Sequence, residues 1–174
     1  MSTQDISKLL NNQAKGFALQ QAFYKDSEIY EREMDRIFMK SWLYAGHISQ
    51  IANAGDYKLY EMDSESVIII RENKDTVKAL LNVCRHRGSR VCLEAHGNQK
   101  LLVCPYHGWT YERSGGLRGA NHTYPGFDKS MYSLKSVNLK IFHGLIFINF
   151  DSDPISDTAS KFDWGIVLNI GYTF

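Results

Sequence analysis

The 174-residue chain is 44% hydrophobic and 22% charged, which excludes wholesale disorder and fits one ordinary domain with some additional chain. Twenty Lys and Arg against nineteen Asp and Glu leave a formal charge of +1, which argues against a nucleic-acid partner, since that needs clustered positive excess. No apolar run approaches the ~18 residues of a membrane span; the longest candidates, Val67–Ile70 and Leu145–Ile148, are strand-sized, and no membrane partner is expected.

The start, Met1-Ser2-Thr3-Gln4-Asp5, is polar with no signal-peptide core behind it, and residues 1–25 read as weakly structured. From Asp26 a helix is expected. Asp26 or Ser27 caps it, Glu28 and Glu31 complement its positive end, and Tyr30, Met34, Ile37 and Phe38 fall on one face. Beyond Ser41 the pattern turns to strands. Trp42–Tyr44, Tyr57–Leu59, Val67–Ile70, Val77–Val83 and Ile141–Phe150 are short and β-branched or aromatic, parted by turns such as Gly55-Asp56 and Asn73-Lys74-Asp75. Strands at such intervals predict an antiparallel sandwich or small barrel, not a βαβ sheet. Residues 113–133, rich in Gly, Ser and Asn, read as a long loop, and 151–160 as an acidic linker.

Two segments carry the chemistry: Cys84-Arg85-His86-Arg87-Gly88 and Cys104-Pro105-Tyr106-His107-Gly108-Trp109. Each offers one thiol and one imidazole. Each also follows an apolar strand, Val77–Val83 or Leu101–Val103, so two loops can converge on one centre. Gly88 and Gly108 let the backbone come close and point N–H groups at an anionic site. Three cysteines make a secreted disulfide framework an unsuitable reading and a reducing cytoplasm the expected setting. Two Cys and two His in this arrangement can hold zinc or a Rieske [2Fe-2S] cluster. Structural zinc modules usually pair Cys with Cys and His with His. Mixed loops suit a binuclear cluster, because each loop contributes one ligand to each iron.

The other candidates are weaker. His47 reads as a structural hydrogen-bonder, and His96, His122 and His143 as residues without a catalytic role. Arg85, Arg87 and Arg90 surround the first loop. They are either solvated packing residues or, with Lys100 nearby, a positive rim for an acidic electron donor. Trp42, Tyr44, Trp109 and Tyr111 read as β-core and loop packing.

CRHRG followed by CPYHGWTY resembles the N-terminal Rieske domain of the ring-hydroxylating (Rieske non-heme iron) oxygenase α-subunit family. AFYKDSEIYEREMDRIFMKSWLYAGHISQIANAGDY resembles the family's leading helix and first strands, and FHGLIFINFD its exit strand; the likeness covers roughly residues 20–152. In general look the chain is most similar to the branch acting on quaternary ammonium compounds, such as glycine betaine demethylases and choline or carnitine monooxygenases. The resemblance implies a mainly β fold, a Rieske-type antiparallel β-sandwich with an N-terminal helix. It implies a [2Fe-2S] cluster whose buried ferric iron is held by Cys84 and Cys104 and whose outer, redox-active iron is held by His86 and His107. No residue is assigned a catalytic role. Respiratory Rieske proteins carry an extra cysteine beside each ligand pair; here Tyr106 takes one such place, so Cys92 is expected to be a buried free thiol. Trp109 stands where high-potential members have a serine donating to sulfur, which implies a potential on the order of −150 mV.

The resemblance further implies an N-terminal segment and helix at 1–40, a Rieske domain at 41–150, and at 151–174 a linker and truncated start of a catalytic α+β domain that is otherwise absent. The family's mononuclear Fe(II), held by two His and a carboxylate, is expected to have no site here, since only His122 and His143 follow His107. The expected protein is thus the electron-transfer portion of a mono- or dioxygenase acting on a quaternary ammonium or aromatic compound. It is an oxidoreductase by family and inactive as an oxygenase alone. Its implied electron donor is a flavin/iron–sulfur reductase or a ferredoxin, and family members are homo-oligomers, often trimers. Two alternatives stand beside it: a self-sufficient Rieske ferredoxin-like carrier and a structural zinc-binding module.

Overall fold

The computed structural model describes residues 3–121 and 123–154. The expectations for His122, for most of the acidic linker and for the apolar ending around Trp164–Ile170 therefore lie outside the described residues. The chain divides into two compact units, one of them Leu43–Asn149 and the other including Met1–Trp42.

The N-terminal stretch is more ordered than expected, with helices α1 (Thr3–Asn11) and α2 (Ala22–Lys25). Ile6, Leu9 and Leu10 recur at helical spacing inside a polar frame that masked them. Helix α3 (Ser27–Arg36) starts where its cap predicts: the Asp26 carboxylate accepts from the N–H groups of Glu28 and Ile29. Its inward stripe differs from the expected one. Ile29 and Met34 are buried while Tyr30 and Ile37 are exposed, because the helix ends at Arg36 and Ile37 leaves its face.

The strands of the larger unit all pair antiparallel. Its ten strands are β1 (Leu43–His47), β2 (Asp56–Met62), β3 (Glu65–Arg71), β4 (Val77–Leu81), β5 (His96–Asn98), β6 (Leu102–Val103), β7 (Thr110–Tyr111), β8 (Leu117–Gly119), β9 (Asn138–Phe142) and β10 (Leu145–Asn149). They form sheets in the orders β1-β10-β9, β4-β3-β2-β5 and β6-β7-β8. Strand β3 is central, and Ser66–Ile70 are buried on both faces, which is why its apolar run is continuous rather than alternating. Ile68 and Ile70 face a core shared with Leu80, Leu102, Tyr111, Cys84 and Cys104. Thus the two segments with chemistry grow from the core, not from its margin.

Two strand expectations change. Ile141–Phe150 is not one strand but the hairpin β9–β10, turning at His143 (φ 48°) and Gly144 (φ 82°). Two consecutive positive φ values define the tight turn that matches strand twist, and histidine is a tolerated if uncommon occupant. The supposed loop 113–133 contains β8 and a single turn of 3-10 helix at Lys129–Tyr132, capped by the Asp128 carboxylate. His47 is structural as expected: its Nδ1 lies 2.8 Å from Ser49 Oγ, and its backbone N–H donates to Gln50 Oε1 at 3.0 Å.

Candidate metal centre

Cys84 lies just beyond β4, and Cys104 directly follows β6. The two loops share one backbone pattern. The Cys84 N–H donates to the Ser89 carbonyl and the Gly88 N–H to the Cys84 carbonyl; the Cys104 N–H donates to the Trp109 carbonyl and the Gly108 N–H to the Cys104 carbonyl. Both loops thus close over the same span, with glycine at the same offset from cysteine. The histidine sits at the third position of one and the fourth of the other. The glycines are needed for their positive φ, 74° at Gly88 and 72° at Gly108. Their N–H groups are engaged inside the loops, which corrects the expectation that they point at an anion.

The four side chains meet as two pairs. Cys84 and Cys104 are 3% and 2% exposed and belong to one buried core cluster. His86 and His107 are half-buried, with their Nδ1 atoms 3.1 Å apart. Two imidazole nitrogens each about 2.1 Å from one metal ion lie within about 4.2 Å of each other, so this separation suits a shared ion. Among the described residues no three His, Cys, Asp or Glu side chains converge to hold a single ion. A tetrahedral zinc site needs all four donors around one point; paired thiols and paired imidazoles would instead suit a two-iron cluster, with Cys84 and Cys104 holding one iron and His86 and His107 the other. Burial pushes the Cys84 thiol up, so a thiolate there calls for metal charge to hold it.

Tyr111 does more than the packing expected of it. Its hydroxyl oxygen accepts from the Arg85 backbone N–H at 3.0 Å, which leaves the phenolic proton free for Cys84 Sγ at 3.2 Å. Burial pushes the phenol far above its ordinary value, so it remains a donor. Were Cys84 to hold an iron–sulfur cluster, a donor to its sulfur would stabilise the more negative, reduced state. Tyr111→Phe should therefore lower the midpoint potential. A tenfold difference in redox preference is 59 mV for one electron, and a drop on the order of 50 mV is expected. An unchanged potential in redox titration would remove Tyr111 from this role.

Cys92 is free and buried, as expected. Burial raises its thiol from an ordinary 9.0 to about 11, partly offset by the Tyr57 hydroxyl. A raised pKa on an acid means that the folded state holds the proton more tightly than the unfolded one. This contribution is complete below pH 9 and is lost as pH climbs from 9 to 11. It amounts to roughly 2–3 kcal/mol. Urea unfolding between pH 8 and 11 should show a steeper alkaline loss for the parent than for Cys92→Ala. Parallel curves would contradict this.

The remaining expectations divide. Arg85 and Arg87 are exposed beside the first loop. Arg90 is not part of a free rim, because its guanidinium pairs with both carboxylate oxygens of Glu61, each contact 3.1 Å. His96 lies on β5 and His143 in the β9–β10 turn, and neither belongs to the Cys/His group. Trp109, expected as packing, lies face to face with His86, and the exposed ring of Tyr106 lies over His107.

An antiparallel β unit that presents two hairpin-like loops, each with one Cys and one His, defines an iron–sulfur domain. The chain belongs to the Rieske family: the Rieske [2Fe-2S] domain model matches residues 41–138. It is 37% identical over 158 residues to the biphenyl 2,3-dioxygenase subunit alpha of Rhodococcus jostii (strain RHA1), covering 88% of this chain and 34% of that one. It is 40% identical over 147 residues to the glycine betaine monooxygenase oxygenase subunit of Pseudomonas aeruginosa, covering 84% and 34%. Among solved structures, naphthalene 1,2-dioxygenase from Rhodococcus sp. bound to indole matches with a TM-score of 0.78 at 33% identity, over 88% of this chain and 36% of that one. The chain spans about a third of the length of the curated relatives it matches. These relatives are named for both aromatic and quaternary ammonium substrates. Among the described residues no helix is long and apolar enough to cross a membrane.

Proposed function

We propose that the chain is the Rieske electron-transfer portion of a non-heme iron oxygenase, with Cys84, His86, Cys104 and His107 as the four cluster ligands. The observation that carries this reading is the pairing of two buried thiols and two half-buried imidazoles on matched loops. The cluster, when bound, supplies one-electron transfer. Cys84 and Cys104 anchor it in the core, while His86 and His107 sit at the solvent side, where a redox partner approaches. Tyr111 holds its proton toward Cys84 Sγ. Arg85 and Arg87 offer positive charge to an acidic reductase or ferredoxin, which favours encounter at low salt.

Four protein donors close the coordination of such a cluster, and oxygen activation needs an open iron position. Within the described residues no further His and carboxylate side chains gather to provide one. We expect the 174-residue polypeptide to carry electrons without oxidising substrate by itself. The domain division is 1–40, 41–150 and 151–174, the assembly is a homo-oligomer, and the setting is the cytoplasm, consistent with three free thiols.

The test is anaerobic reconstitution with iron and sulfide, then turnover with reductase, NADH, oxygen and ferrous iron, using glycine betaine, carnitine and biphenyl. Two irons and two acid-labile sulfides per chain are expected, with reduction but no product. A colourless chain that takes up one zinc would refute the cluster. Oxygen uptake coupled to product would refute the division of labour.

A further inference from the structure

We propose that the indole N–H of Trp109 donates a hydrogen bond to a sulfur of the bound cluster and raises its potential. Trp109 is 4% exposed, and its Nε1 is buried without a hydrogen-bond partner among the described residues. Such a group is uncommon, because leaving a buried donor unpaired costs about 1–3 kcal/mol. The ring cannot swing out to water. It is stacked on His86 with centroids 4.8 Å apart and planes 12° from parallel. Phe127 and Tyr132 meet it edge to face, each at 5.7 Å, and are themselves stacked at 4.5 Å. Its backbone is held too, since the Trp109 carbonyl closes the second ligand loop on Cys104.

Aromatic carbon thus packs around the indole, and it shares one buried core with Cys84 and Cys104. The acceptor we propose for it is a sulfur of the bound cluster. Reduction adds negative charge there, so a fixed donor favours the reduced state. The stack on His86 has a second effect. It orients the imidazole plane from the core side, making Trp109 a positioning residue for that ligand as well as a donor. The inference rests on the four-ligand cluster reading above, and it alters the expectation of few donors at sulfur.

The test uses the full chain with its cluster. Iron and sulfide content report on the cluster reading: a parent chain without two of each overturns both that reading and this one. In the loaded, reduced parent, labelled with 15N-indole tryptophan, pulsed EPR should detect an exchangeable proton and a 15N nucleus coupled to the cluster. Both should vanish in Trp109→Phe. A loaded parent lacking these couplings overturns the donor role alone, and it requires no variant to fold. Replacing Trp109 with benzothienylalanine keeps the ring shape and the stack but removes the N–H. Its potential should move in the negative direction, about 59 mV if the reduced state is favoured tenfold. A loaded analogue with the parent's potential likewise overturns the proposal.

Discussion

Alanine at any one of Cys84, His86, Cys104 or His107 is expected to abolish or scramble cluster binding, while Cys92→Ser leaves it intact. The reason is the division into pairs. The two thiols lie in the core and the two imidazoles half-buried, so among the described residues no neighbouring donor stands ready to replace a lost one. Loss of a thiolate also removes the charge that neutralises a buried ferric centre, where the dielectric penalty is largest. Loss of an imidazole would leave an iron held by His86 and His107 open to water. Cys92 is oriented elsewhere: its backbone N–H and carbonyl bind the Asn82 side chain, and its thiol interacts with Tyr57. Visible absorption and iron content decide the matter. A bleached Cys92→Ser beside a fully coloured Cys84→Ala would invert the assignment.

Asn82→Ala is expected to be the most damaging change outside the ligands. The side chain is fully buried, and each of its hydrogen-bonding positions is filled. Its Oδ1 accepts from the Val91 N–H at 2.9 Å and the Cys92 N–H at 2.8 Å. Its Nδ2 donates to the Cys92 carbonyl at 2.8 Å and to Ser66 Oγ at 3.1 Å. Ser66 Oγ in turn donates to Glu61, which holds Arg90. One amide therefore ties the far end of the first ligand loop to the central strand. Alanine would leave two N–H groups and a carbonyl unpaired in the core, a loss of about 3–5 kcal/mol. For a domain this size that lowers Tm by roughly 10 °C or more, and cluster occupancy should fall with it. A Tm within 2 °C of the parent would show that water or a rearranged loop replaces the amide.

The proposed Cys/His quartet and the β class of the fold were both legible in the sequence alone, for local reasons. A cysteine and a histidine within one loop's reach, twice over and each after an apolar strand, leave few chemistries open. Continuous β-branched runs such as Val67–Ile70 have one stable home, the middle of a sheet. Caps are local too, and Asp26 starts its helix as expected. What required the tertiary structure are contacts between residues far apart in the chain. Asn82 looks like any turn-forming asparagine until its loop folds back ten residues later. Tyr111 lies 27 positions from the thiol it meets, and Trp109 looks like packing until it is seen stacked on His86. Arg90 looks as free as Arg87 until Glu61 arrives from another strand. The hairpin at His143-Gly144 was hidden because histidine is a rare occupant of left-handed backbone. Residue type sets which chemistry a side chain can perform, and that is written along the chain. Which donor meets which acceptor depends on how strands distant in sequence are packed, and only the assembled core decides it.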